Sequence, residues 1–172
     1  MYEVEALVIL GIDPGYAILG YGVLETKAGQ RPRPLDYGVV ETAAAEAFPQ
    51  RLEKLYLGVR QLIGLYKPDQ VAFEELFFYR NVTTALQVGA GRGVALLAAQ
   101  QAGLPLYEYT PMQIKLAVCG NGHADKKQIQ QMVKLLLGLR EAPRPDDAAD
   151  ALGAAICHAN TMGPAAEEFR IR

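Results

Sequence analysis

Leu7-Val8-Ile9-Leu10-Gly11-Ile12 is an unbroken apolar run, the pattern of a buried central strand, and Asp13-Pro14-Gly15 closes it with turn residues. Gly20 to Glu25 reads as a second strand and Leu35 to Thr42 as a third, with a Pro-containing loop over Gln30 to Pro34 between them. Strands in such close succession are expected to pair antiparallel, because a parallel crossover needs about a dozen residues. The period then changes. Leu52, Leu55, Val59, Leu62, Ile63 and Tyr66 recur at helical spacing, and Lys67-Pro68 ends the stripe. Gln70 to Phe73 predicts a short strand running into Glu74, Thr83 to Gln101 a helix ending before Gly103, and Leu104 to Tyr109 another strand. Thr110-Pro111-Met112-Gln113 carries the signs of a helix start: Thr as N-cap, Pro at the first turn, Gln reaching back. Further helices fit Asp125 to Leu137 and Asp147 to about Ala159, separated by a Pro-rich linker, and residues 164–172 are expected to form a weakly ordered tail.

Hairpin-like strands followed by alternating helices and strands predict an α/β fold, a mixed sheet covered by helices. The 172 residues suit one domain, and 51% hydrophobic with 21% charged residues is globular composition. The net charge of −2 excludes a simple polybasic nucleic-acid binder. Its distribution is uneven, since residues 76–144 carry eight Lys and Arg against three Asp and Glu. A basic stretch inside an acidic chain suits a protein that grips polyanions in one place and gathers carboxylates in another. Cys119 and Cys157 show no metal-binding spacing and read as free thiols of a reducing compartment. No run approaches the roughly 20 apolar residues of a membrane span, and no secretory signal opens the chain, so a soluble cytoplasmic protein is expected.

Four acids stand out by position. Asp13 and Glu74 each end an apolar strand, while Asp147 and Asp150 share one face of an otherwise Ala- and Leu-rich helix. A carboxylate on an apolar element costs several kcal/mol if buried alone, so a partner is expected, and a divalent cation suits an all-oxygen set. Two such ions can clamp the attacking and leaving oxygens of a phosphodiester. Plainer roles remain open for each acid. Asp13 can make an Asx turn, Asp146 or Asp147 can cap the last helix, and Asp150 can face water. The four together favour a site.

Gly11-Ile12-Asp13-Pro14-Gly15, Gly20-Tyr21-Gly22, Phe73-Glu74-Glu75-Leu76-Phe77-Phe78, Gly89-Ala90-Gly91-Arg92-Gly93, Tyr107 to Lys115, Lys126 and Asp147-Ala148-Ala149-Asp150-Ala151-Leu152 occur in an order that resembles the RuvC family of Holliday-junction resolvases. The match runs from about Leu7 to His158. The resemblance implies a ribonuclease H-like nuclease domain over residues 1–163, a mixed five-stranded sheet, and a homodimer that nicks four-way DNA junctions in pairs during recombination and repair. It implies Asp13, Glu74, Asp147 and Asp150 as the catalytic, metal-holding acids, with two Mg²⁺ ions per site and Mn²⁺ as a substitute. It further implies Phe77 stacking on junction bases, Lys115 and Lys126 contacting DNA, and RuvA and RuvB as partners. Arg80 and Arg92 lie in the basic stretch and can neutralise phosphates. His158, late on an Ala-rich helix, reads as a packed core residue.

Two other classes compete. An actin-like ATPase also uses an Asp-x-Gly turn, but needs a second domain to enclose ATP. A non-catalytic junction-binding scaffold would favour fewer negative charges facing DNA than the four carboxylates here.

Overall fold

The computed structural model describes residues 6–76 and 81–172. In chain order it comprises β1 (Leu7–Asp13), β2 (Ile18–Thr26), β3 (Arg33–Glu41), α1 (Phe48–Tyr66), β4 (Gln70–Glu74), α2 (Val82–Gln101), β5 (Leu106–Tyr109), α3 (Pro111–Cys119), α4 (Lys126–Leu137) and α5 (Asp146–Thr161). The strands form the expected mixed five-stranded sheet, and their order is β3-β2-β1-β4-β5. β1, β2 and β3 are antiparallel neighbours, whereas β4 and β5 run parallel to β1.

Strand parity decides which side chain goes where. On β1, Leu10 and Ile12 face α1 and α2 together with Val71 and Phe73 of β4. Ile9 and Ala72 face the opposite layer, built from α3, α4 and α5. Asp13 is therefore in step with Ile9, and Glu74 with Ala72; both acids look toward α5.

α5 lies on this face unusually closely. A Cβ at Gly11 would come 2.1 Å from the Ala151 carbonyl oxygen, one at Gly20 2.1 Å from that of Asp147, and one at Gly22 2.6 Å from the Leu152 side chain. Gly11 pairs with Gly22 across the strands and Asp13 with Gly20, so the three glycines form one bare patch beside Asp13. Only a backbone without side chains lets a helix settle to this depth. α5 is consequently apolar nearly all round, with Ala148, Ala149, Ala151, Leu152 and Ala154 fully buried.

Helix ends follow local chemistry. Thr110 caps α3 through its side chain, with Gln113 reciprocating, and Asp125 and Gln128 do the same at α4. Asn81 caps α2 by accepting from the Thr83 and Thr84 amides. α5 instead starts at Asp146 after Pro145, so neither Asp146 nor Asp147 is its cap.

Two expectations need correction. Residues 164–172 are not a loose tail: Pro164–Phe169 forms a 3₁₀ turn that buries Ala166, and the Ile171 amide donates to the Leu106 carbonyl at 2.9 Å. Phe169 packs on Tyr109 at 4.9 Å between ring centroids, so the segment covers the open edge of β5. α2 is also long and apolar enough, by length and composition alone, to cross a membrane, although no such run was expected. Its buried residues are small: Gly91, Ala95, Ala98 and Ala99, with the three alanines in the core that includes Leu55, Val59 and Leu62 of α1. Cys119 and Cys157 are both free thiols.

Candidate active site

A carboxylate oxygen from each of Asp13, Glu74 and Asp150 lies within 4.8 Å of the other two. Asp13 and Glu74 reach this point from the C-terminal ends of neighbouring parallel strands, one residue past the paired Ile12 and Phe73. Asp150 arrives from the first turns of α5, at the depth set by the glycine patch. Asp147 lies one turn earlier on the same helix; it stands outside the triangle but close enough for its charge to act on Asp13. The strand neighbour Glu75 is held apart, its amide donating to the Tyr109 carbonyl at 2.8 Å.

Burial and mutual repulsion disfavour ionisation of this cluster. Partial burial is the leading cause for all three acids. Asp13 is raised well above the ordinary carboxylate range by burial, then by the charges of Glu74, Asp150 and Asp147. Glu74 is pushed up to about 7 by burial and Asp150, against partial relief from Asp13, Lys115 and Lys126. Asp150 is pushed up to about 6 by burial, with Lys126 pulling the other way. An all-oxygen donor set whose charges repel at neutral pH fits a hard divalent cation. The residues present therefore suit Mg²⁺-type ions.

Lys115 on α3 and Lys126 at the start of α4 are close enough for their charges to favour the ionised forms of Glu74 and Asp150. Lys126 also makes an ion pair with Asp146, which holds the Asp146 carboxyl below its usual range. From the sequence Asp146 was weighed only as a cap of the last helix; its pairing with Lys126 was not foreseen. Arg92 is placed differently. Its guanidinium pairs with Glu108 of β5, with Nε 2.9 Å from the carboxylate, tying α2 to the sheet. Phe77 and Arg80 lie outside the described residues.

The glycine motif on α2 divides into two roles. Gly91 meets the turn after β1, where a Cβ would come 2.8 Å from the Gly15 carbonyl oxygen and push against the Asp13 loop. Gly89 and Gly93 face open space. His158, at the far end of α5, is fully buried; Nδ1 is 2.6 Å from the Tyr109 hydroxyl and Nε2 2.6 Å from the Gln70 amide oxygen. It is a packed core residue, as expected.

A mixed sheet of this order, with carboxylates gathered at the ends of its central strands, defines a ribonuclease H-like nuclease. The family model described as crossover junction endodeoxyribonuclease RuvC matches residues 9–158. A protein of that name from Desulfitobacterium hafniense is 58% identical over 156 residues, covering 91% of this chain and 94% of the relative. One from Moorella thermoacetica is 55% identical over 154 residues, covering 90% and 92%. Among solved structures, RuvC of T. thermophilus in complex with Holliday junction substrate superposes with a TM-score of 0.84 at 44% identity, covering 89% of this chain and 93% of that one. The chain belongs to the RuvC family of crossover junction endodeoxyribonucleases.

Proposed function

We propose that this protein resolves four-way DNA junctions by paired, divalent-metal-dependent hydrolysis of phosphodiester bonds in recombination and repair. The observation that carries the reading is the triangle of Asp13, Glu74 and Asp150 at the ends of adjacent parallel strands. Together with Asp147 these residues would hold two Mg²⁺ ions, for which Mn²⁺ can substitute. When bound, such ions neutralise the carboxylates and the phosphate and make water a competent nucleophile near neutral pH. The glycine patch under α5 keeps Asp147 and Asp150 in register with Asp13 without spending loop flexibility. Lys115 and Lys126, whose charges act on the acids, would hold the phosphates on either side of the scissile bond. Phe77 is assigned to the junction by family membership, and Arg80 by its place in the basic stretch, where it can neutralise phosphates. Arg92 acts as a tie to Glu108 in this reading and not as a phosphate ligand. Water entering in line with the P–O3′ bond leaves a 5′ phosphate and a 3′ hydroxyl.

Paired nicks require two sites related by a two-fold axis, hence a homodimer. α2 offers the surface. Val82, Leu86 and Leu97 are 76%, 72% and 50% exposed, and with Gly89 and Gly93 they fall on a single helical stripe. Bare glycines flanked by exposed aliphatics let two helices approach closely. Leu86→Glu should convert the protein to a monomer in light scattering. Loss of concerted nicking would accompany it. RuvA and RuvB as partners, and action in the cytoplasm on the chromosome, belong to the same proposal. The direct test uses a labelled four-way junction and a linear duplex with Mg²⁺, Mn²⁺ or EDTA. Symmetric nicks in the junction alone, requiring metal, are expected. Cleavage that persists in EDTA, or is equal on duplex, would overturn the reading.

A further inference from the structure

The basic stretch divides once its charges are located. Arg92 is neutralised by Glu108 and Lys126 by Asp146, whereas Lys134, Arg140 and Arg144 have no ion partner among the described residues. These three line one shallow groove of about 380 Å³, closed by Gln131, Ala142 and a single opposing acid, Glu141. The groove lies between α4 and the 139–145 linker, which is held along the helix by a hydrogen bond from the Gln130 side-chain amide to the Pro143 carbonyl at 3.4 Å. Three cations against one anion leave it net positive by two.

Its position is as informative as its charge. Arg144 stands two residues before Asp146, the carboxylate that pairs with Lys126 beside the triangle. Along α4, Lys126 and Lys134 are eight residues apart, a rise of about 12 Å. With one phosphate per roughly 3.4 Å of helix axis on each strand, that length spans three or four nucleotides. Like-charged side chains crowded into one groove repel unless an anion is present, and the only continuous polyanion the proposed reaction supplies is DNA.

We propose that the groove between α4 and the 139–145 linker is a second phosphate track, which holds the backbone of one DNA arm after it leaves the carboxylate triangle. The proposal rests on the junction-cleaving reading above. Lys134, Arg140 and Arg144 position the arm and touch no reacting atom. Glu141 opposes them and weakens the grip.

The test is the salt dependence of junction binding, measured by fluorescence anisotropy in Ca²⁺ for the wild type, for Lys134→Ala/Arg140→Ala/Arg144→Ala and for Glu141→Gln. Each lost phosphate contact lowers the slope of log K against log salt by about 0.9, so the triple variant should lose about 3 from the slope. Glu141→Gln should shift binding in the opposite direction, toward higher affinity. The second variant keeps the proposal testable if the triple substitution reduces folding. An unchanged slope in the triple variant, or weaker binding by Glu141→Gln, overturns the track. A wild type with no preference for junction over duplex would instead remove the reading on which the track rests, so the two failures are distinguishable.

Discussion

The two ends of α5 bury titratable groups to opposite purpose. At the C-terminal end, His158 is fully enclosed, and each ring nitrogen has one partner, Tyr109 on one side and Gln70 on the other. Burial holds it down to about 4, so it stays neutral and its polar atoms are satisfied. At the N-terminal end, three carboxylates crowd within 4.8 Å of one another, and their nearest cations, Lys115 and Lys126, offset only part of the repulsion. One end is complete as it stands. The other needs a ligand. Within one helix, the satisfied polar group is architecture and the unsatisfied cluster is chemistry.

The largest expected effect comes from removing a carboxylate. Asp13→Asn keeps the shape of the site and should lower junction cleavage by about 10³-fold or more, with junction binding retained. Gel-based cleavage and anisotropy on the same preparation separate the two. A folded Asp13→Asn protein that cleaves at near wild-type rate would break the comparison at its N-terminal end.

Gly20→Ala should come next. The new methyl would meet the Asp147 carbonyl oxygen at 2.1 Å, and backbone cannot yield as a side-chain tip can, so α5 must shift away from β2. A displacement of about 1 Å at a reacting centre costs on the order of 10²-fold in rate. Cleavage should therefore fall far more than thermal stability does. Equal losses in both would mean that the patch serves packing alone.

His158→Leu is expected to do the reverse. It leaves the Tyr109 hydroxyl and the Gln70 amide without their partner, which should destabilise the protein by about 3 kcal/mol. For a chain of this size the melting temperature would drop by about 6–12 °C. Below that temperature cleavage should stay within a few-fold of wild type. Lost cleavage at an unchanged melting temperature would show that the comparison is drawn in the wrong place.

How much of this was legible in the sequence follows from what each residue reveals locally. The strand ends at Asp13 and Glu74 were readable because apolar runs stop there, and the α3 cap because Thr110 and Gln113 stand at capping distance. The family motifs placed Asp147 and Asp150 as well. The reason α5 can come so close was not legible, since Gly11, Gly20 and Gly22 become one surface only once the β1–β2 register is known. The Arg92–Glu108 pair was hidden for the same kind of reason: the partner is on another element, and sequence charge counts do not show pairing across space. The closing segment looked loose because its 3₁₀ turn depends on β5 and carries little helical signal of its own.

The smallest effect is a difference in pH dependence between the two ends, and it is measured without metal. Glu74 and Asp150 have folded pKa values raised to about 7 and about 6, so their contribution to stability is present at low pH and lost as pH rises through those values. His158 is lowered from 6.5 to about 4; the unfolded chain takes up a proton first, so stability falls as pH drops from about 6.5 toward 4. Between pH 4 and 6.5 the two ends oppose each other. Above 6.5 His158 is silent and the carboxylates act alone. In EDTA, the melting temperature should then decline from pH 6.5 to 7.5 by at most about 3–5 °C per titrating proton. Excess Mg²⁺ should abolish that decline, because a bound cation stabilises the ionised carboxylates. Asp150→Asn should flatten it even in EDTA, because the Asp150 charge adds to burial in holding Glu74 up, whereas His158→Leu should leave it untouched and alter only the slope below pH 6.5. A decline that survives both Mg²⁺ and Asp150→Asn would place its origin outside the triangle, and the N-terminal end of α5 would lose its claim to be the unsatisfied one.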